Sequence, residues 1–201
     1  MDGDLIHCTA GRLLVQPDVG FGLVQRVVVI GTSCAGKSTL AQRLATRVHT
    51  QCIDLDDLHW EPDWVEAPDE VFRSRVLAAT ASEQWIVAGN YKQVRDIVWS
   101  AADTVIWLDF SFIVVFTRML RRTVRRIIRK EVLFAGNVEK AGMHLKVWSK
   151  ESLIHWVVAT HWKRRREFTN ELSQNRYCHL TVLRFTRPQQ VEQWMNCLTR
   201  H

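Results

Sequence analysis

Short, wholly apolar runs punctuate the chain, separated by longer segments in which apolar residues recur every three or four positions. Val27-Val28-Val29-Ile30 is the clearest run, β-branched and apolar on both faces, as in a strand covered on both sides. Ile86 to Val87, Thr104 to Leu108 and Leu180 to Leu183 repeat the type, with a weaker run at Gln51 to Asp54. Helical periodicity covers Ser38 to Arg47, Asp69 to Ala81, Tyr91 to Ser100, Phe112 to Arg129, Lys150 to Phe168 and Pro188 to Leu198. This alternation predicts a three-layer α/β fold: a parallel five-stranded sheet flanked by helices, with binding groups at the carboxyl edge of the strands. Residues 1–24 lack a clear period and read as an irregular extension, while 25–201 read as one domain without repeat or linker.

Composition bounds the class. A chain of 201 residues fits one core, and 47% hydrophobic with 24% charged residues excludes disorder and a disulfide-stapled miniprotein. No apolar run approaches the roughly 20 residues of a membrane helix, and Met1-Asp2-Gly3-Asp4 is acidic where a secretory signal is basic. Cys8, Cys34, Cys52, Cys178 and Cys197 are scattered, with no C-x-x-C pair. The expectation is a cytoplasmic protein with reduced thiols and no membrane partner. The net charge of +6 is concentrated: residues 118–130 hold seven basic side chains and Lys163 to Arg166 four more, leaving 16 basic against 21 acidic elsewhere. Such clustering suits a site for a concentrated anion.

The segment after the first strand indicates which anion. Gly31-Thr32-Ser33-Cys34-Ala35-Gly36-Lys37-Ser38-Thr39 satisfies G-x-x-x-x-G-K-[ST] between a strand and a helix, the setting of a phosphate-binding loop. The two glycines permit turns that point N–H groups inward, Lys37 reaches the β- and γ-phosphates of ATP, and Ser38 places its hydroxyl on Mg²⁺. The helix starting at Lys37 aims its positive end at the same anion. Cys34 reads as a small filler whose backbone does the binding.

With Leu55-Asp56-x-Leu58-x-Trp60-x-Pro62-x-Trp64 following this loop and Gly89-Asn90-Tyr91 beyond it, the sequence resembles the adenylate-kinase-like topology modulation proteins. These are small P-loop proteins of the nucleoside monophosphate kinase type. Trp85-Ile86-Val87, Ala102-Asp103-x-x-Ile106-Trp107-Leu108-Asp109 and Leu183-Arg184 extend the match, which runs from about Arg26 to Trp194. The resemblance implies an ATP- and Mg²⁺-dependent phosphotransferase with a mobile acceptor segment (about 56–84) and a basic lid (about 130–149). It points to a nucleotide or nucleoside acceptor. Two alternatives stand beside it: a sugar-acid or other small-metabolite kinase, because Asp54-x-Asp56-x-Leu58-His59 is also similar to the acceptor segment of gluconate-type kinases, and a nucleotide-gated nucleic-acid-binding ATPase.

Phosphoryl transfer needs aligned groups, a metal and surrounding cations. Asp56, at the exit of the second strand, is placed to orient an acceptor hydroxyl or, with Ser38, to hold a metal-bound water. Asp54 is its alternative on the same side by period-two alternation. Trp60 and Trp64 read as an aromatic wall for a planar acceptor or as packing of the mobile segment, and His59 as a hydrogen-bonding partner there. Gly89 allows close approach to substrate, and Asn90 offers it a donor and an acceptor. Ala88 stands where the family commonly carries the Walker B aspartate; Asp56, Asp54 or Asp109 takes over, or metal-dependent turnover is impaired. Arg118, Arg121, Arg122, Arg125, Arg126 and Arg129 form one helical stripe, read as a phosphate clamp in which Arg118, Arg122 and Arg126 join Lys37 and Asp56 as candidate catalytic residues. Phe116, Leu120, Val124, Ile127 and Ile128 are expected to pack on the core. Lys163 to Arg166 read as a helix end, and Arg187-Pro188 as a loop whose backbone covers adenine.

Overall fold

The structure is a computed structural model that describes residues 13–14, 25–129 and 153–198, with side chains for 25–125 and 160–198. Its strands are β1 (Leu13–Leu14), β2 (Arg26–Gly31), β3 (Gln51–Asp54), β4 (Trp85–Ala88), β5 (Thr104–Leu108) and β6 (Thr181–Phe185). Its helices are α1 (Lys37–Val48), α2 (Leu55–His59), α3 (Asp69–Ala79), α4 (Arg95–Ala101), α5 (Phe112–Arg129), α6 (Leu153–Leu172) and α7 (Pro188–Cys197). Among the described residues the strands form one sheet in the order β1-β6-β5-β2-β4-β3, and every pairing is parallel. The five expected strands are all there. β1 adds a two-residue edge inside the segment expected to be irregular, Leu13 and Leu14 pairing with Val182 and Leu183.

Alternation along each strand divides the apolar residues between two cores. Val27, Val29, Ile86, Ala88, Ile106 and Leu108 face α1, α5 and α7; Val28, Ile30, Trp85, Val87, Val105 and Trp107 face α3, α4 and α6. β2, β4 and β5 therefore read as nearly unbroken apolar runs because both of their faces are covered, whereas the edge strand β3 and β6 carry polar residues at partly exposed positions.

Two expectations about the helices need correction. On α5 the buried stripe runs through Val115, Met119 and Thr123, whereas Leu120 is 40% and Val124 56% exposed. Residues four apart share a face, so a face one position away from the expected one meets the sheet. The side chains of Ile127 and Ile128 lie outside the described residues. Lys163 to Arg166 lie in the interior of α6 rather than at its end. The helix continues to Leu172 because Glu167 and Glu171 are held by the buried Arg95 of α4, at 2.9 and 3.4 Å. The proposed lid at about 130–149 lies outside the described residues.

Candidate active site

Parallel strands place all their carboxyl ends on one edge, and the polar residues singled out above gather there. The chain leaves β2 at Gly31, where a Cβ would stand 2.9 Å from the Leu108 carbonyl oxygen and 3.2 Å from Ala35 Cβ. The loop then turns through an Ala35 N–H bond to the Thr32 carbonyl (3.1 Å), a left-handed Cys34 at φ 64° and Gly36 at φ 99°. Left-handed backbone costs a non-glycine residue about 1–2 kcal/mol and clusters at ligand sites. α1 begins at Lys37 with no acidic residue in its first turn, leaving its positive end unopposed within the helix. The Thr32 hydroxyl is buried without a partner, an unsatisfied group in the floor of the cradle.

Lys37 is partly exposed as a residue, yet its ammonium is enclosed enough that burial lowers its pKa from the ordinary lysine value. Asp56 and Asp54 oppose that lowering and Arg164 adds to it, and a long 3.4 Å contact reaches the Thr32 carbonyl. Ser38 and Thr39 are exposed beside it.

The two aspartates share the lysine, though not by strand alternation. β3 stops at Asp54, which caps α2 by accepting the Asp56 N–H at 3.1 Å; Asp56 already belongs to the helix. Ser38 donates its hydroxyl to Asp54. Burial and then the neighbouring Asp56 raise the Asp54 pKa, with the Ser38 bond opposing. Asp54 lies directly beside Ala88 in the β3–β4 register, which puts a carboxylate on the strand next to the Walker B position. Asp109 does not serve this purpose: it is buried in ion pairs with Arg184 (2.9 Å from Nε) and Arg165 (3.1 Å).

Ser38 and Asp54 offer hard oxygen donors suited to Mg²⁺. Among the described residues no group of three or more His, Cys, Asp or Glu could hold a metal by itself. That fits an ion taking one or two protein oxygens and completing its shell with phosphates and water.

Gly89 and Asn90 close the far side. Gly89 has φ 140°, and a Cβ there would meet the Leu55 side chain at 2.8 Å. The close approach is thus to the core beneath α2, not to a substrate. Gly89→Ala is expected to destabilise the fold by about 1–3 kcal/mol, read as a lower urea midpoint with unchanged slope. In the amide orientation that pairs both its ends, Asn90 donates to the Gly31 carbonyl at 2.9 Å and accepts from Arg164. Arg164 is the residue that sequence reasoning missed. Its basic cluster was visible, but which of four neighbouring cations turns inward depends on how α6 packs.

Among the expected clamp residues, Arg118 donates to the Ala35 carbonyl at 2.6 Å and lies over the Phe110 ring at 5.0 Å. Arg122 is half-buried, with its Nε unpartnered, and the Arg126 side chain lies outside the described residues. Arg121 is exposed, so the stripe divides between the loop and the surface.

In the acceptor segment Trp60 and Trp64 pack edge to face at 5.6 Å. His59 is buried against Trp60, Phe72 and Tyr91, its Nδ1 without a partner and its Nε2 3.9 Å from Glu66. It is a packed ring rather than the expected hydrogen-bonding partner. The backbone N–H groups of Thr186 and Arg187 both donate to Gln190 Oε1, which removes those donors from the expected adenine loop.

No protein-family model matches the sequence, and no curated protein does. Among solved structures the chain is similar to shikimate kinase from Acinetobacter baumannii in complex with shikimate, at TM-score 0.54 and 13% identity, over 89% of this chain and 93% of that one. A gluconokinase from Sinorhizobium meliloti 1021 gives TM-score 0.47 at 18% identity, over 88% of this chain and 92% of that one. Deoxyadenosine kinase from M. mycoides gives 0.47 at 16%, over 88% and 100%. The chain therefore has the three-layer α/β fold of a P-loop kinase.

Proposed function

We propose that the chain is an ATP-dependent phosphotransferase of the nucleotide-kinase type that moves the γ-phosphate to a hydroxyl or phosphate of a small nucleotide or nucleoside. The supporting observation is convergence: Lys37 of the loop, Asp54 and Asp56 at the β3–α2 junction, Asn90 after β4 and Arg164 of α6, carried by four separate segments, meet at one edge of the sheet. The resemblance to topology modulation proteins supports the same reading, because three of its motifs, Gly31 to Thr39, Leu55-Asp56 and Gly89-Asn90-Tyr91, fall at the carboxyl edge of the sheet.

In this reading the loop N–H groups and the start of α1 bind the β- and γ-phosphates. Lys37 and Arg164 lie on the side of the developing negative charge, and Arg118 braces the loop at Ala35. Mg²⁺ held at Ser38 and Asp54 would neutralise charge on the phosphates. Asp56 orients the acceptor: its carboxylate accepts the proton as the acceptor oxygen bonds to the γ-phosphorus and the bond to the β–γ bridging oxygen breaks. Arg118 turns to the loop while Arg121 and Arg125 are exposed, so the alternative nucleic-acid reading predicts salt-sensitive DNA or RNA binding that is lost when Arg121 and Arg125 become Glu.

The test is a coupled assay with ATP, Mg²⁺ and a panel of nucleosides, nucleotides and sugar acids. One acceptor is expected to raise ADP release above the acceptor-free rate and to appear phosphorylated by ³¹P NMR. If none does, the kinase reading fails; if a sugar acid is preferred, the acceptor class is the alternative one.

A further inference from the structure

Tyr91 has no part in the scheme above, yet it touches the residue on which the scheme depends. Its hydroxyl donates to Asp56 Oδ1 at 2.6 Å, the length of a charge-assisted O–H···O⁻ bond. The Trp60 indole N–H in turn donates to the Tyr91 oxygen. The Tyr91 ring is wedged between His59, at 4.4 Å between ring centres, and Phe72, at 5.3 Å. A relay thus runs from the acceptor segment through Trp60 and Tyr91 to Asp56, whose charge acts on Lys37.

An acceptor alcohol would donate its hydroxyl to this carboxylate. So would a hydrolytic water. We propose that Tyr91 is a positioning residue that caps Asp56 with its own hydroxyl when no acceptor is bound, suppressing ATP hydrolysis, and that the acceptor frees Asp56 by displacing the Trp60–Tyr91 relay. The reaction held in check is attack of the water oxygen on the γ-phosphorus. The water proton passes to Asp56 and the bond to the β–γ bridging oxygen breaks, giving ADP and inorganic phosphate. The inference rests on the kinase reading and assigns it a means of avoiding wasteful turnover.

The experiment needs only ATP and Mg²⁺. Wild type, Tyr91→Phe and the double variant Tyr91→Phe/Asp56→Asn are compared for ATP binding by calorimetry and for acceptor-free phosphate release. Phenylalanine keeps the ring packing, and thermal melts check each fold; Trp60→Phe removes the upstream donor as a second variant. The expected result is a kcat for hydrolysis about tenfold higher in Tyr91→Phe, as for loss of one barrier increment near 1.4 kcal/mol. KM for ATP stays unchanged, and the gain disappears in the double variant. A Tyr91→Phe rate at or below wild type, or a gain that survives Asp56→Asn, overturns the gate. Failure of the wild type to bind Mg²⁺·ATP instead overturns the kinase reading itself.

Discussion

Replacing Lys37 with methionine weakens Mg²⁺·ATP binding by roughly a hundredfold or more and abolishes turnover, while the folded chain melts at the same temperature or higher. The size follows from removing one partner of an enclosed charge pair, a loss of about 2–5 kcal/mol. The unusual part is the second half. Burial lowers the Lys37 pKa, with Asp56 and Asp54 opposing it, so the folded chain holds this ammonium at a cost that only a bound anion recovers. A base with a lowered folded pKa costs stability while charged, and the cost is relieved as pH rises through that pKa. The stability gain of Lys37→Met is therefore largest near neutrality and fades in alkali. Calorimetric titration with ATP and thermal melts across pH measure both effects; unchanged affinity would place the triphosphate elsewhere.

Asp54→Asn separates stability from activity in the same way. Its turnover falls by about a hundredfold or more, because a carboxylate proposed to hold the metal is lost. Its melting temperature rises, on a scale of about 2–4 °C per kcal/mol recovered in a chain of this size. Burial and Asp56 raise the Asp54 pKa, so the ionised form is disfavoured in the fold. That cost is present above the unfolded pKa and is relieved as pH falls through the folded one. The advantage of asparagine is therefore greatest at neutral pH and vanishes in acid, where the wild-type group is protonated in both states. Asparagine also keeps what else Asp54 does: it caps helices as well as aspartate, and its oxygen still accepts from Ser38. Melts from acid to neutral pH and steady-state kinetics on the active acceptor check the pair of effects. A variant both less stable and fully active would contradict the assignment.

Much of this was legible in the chain itself. β2, β4 and β5 emerge where a nearly unbroken apolar run lies, because both faces of these strands are covered, while β3 and β6 show weaker runs that keep polar residues where they are partly exposed. The loop from Gly31 to Thr39 needs no tertiary information, since its glycines, lysine and serine are consecutive. What could not be read depends on lateral order. Nothing along the chain says that β3 lies beside β4 with Asp54 level with Ala88, and that adjacency decides which aspartate meets Ser38. Arg164 was hidden for a similar reason: four consecutive cations on a helix point four ways, and the pairing of Glu167 with Arg95 and Lys92 and of Arg165 with Asp109 sets which one faces Asn90. On α5 the expectation that Leu120 and Val124 pack on the core fails, since a helix with apolar residues on several faces does not declare which face the sheet takes.

Crystals grown with Mg²⁺ and a non-hydrolysable ATP analogue test the central claim directly. The prediction is a triphosphate lying in the turn from Gly31 to Thr39, with Lys37 Nζ on its β- and γ-oxygens and the metal between Ser38, Asp54 and the phosphates. A triphosphate bound at any other edge, or a turn left empty at saturating analogue, would contradict it.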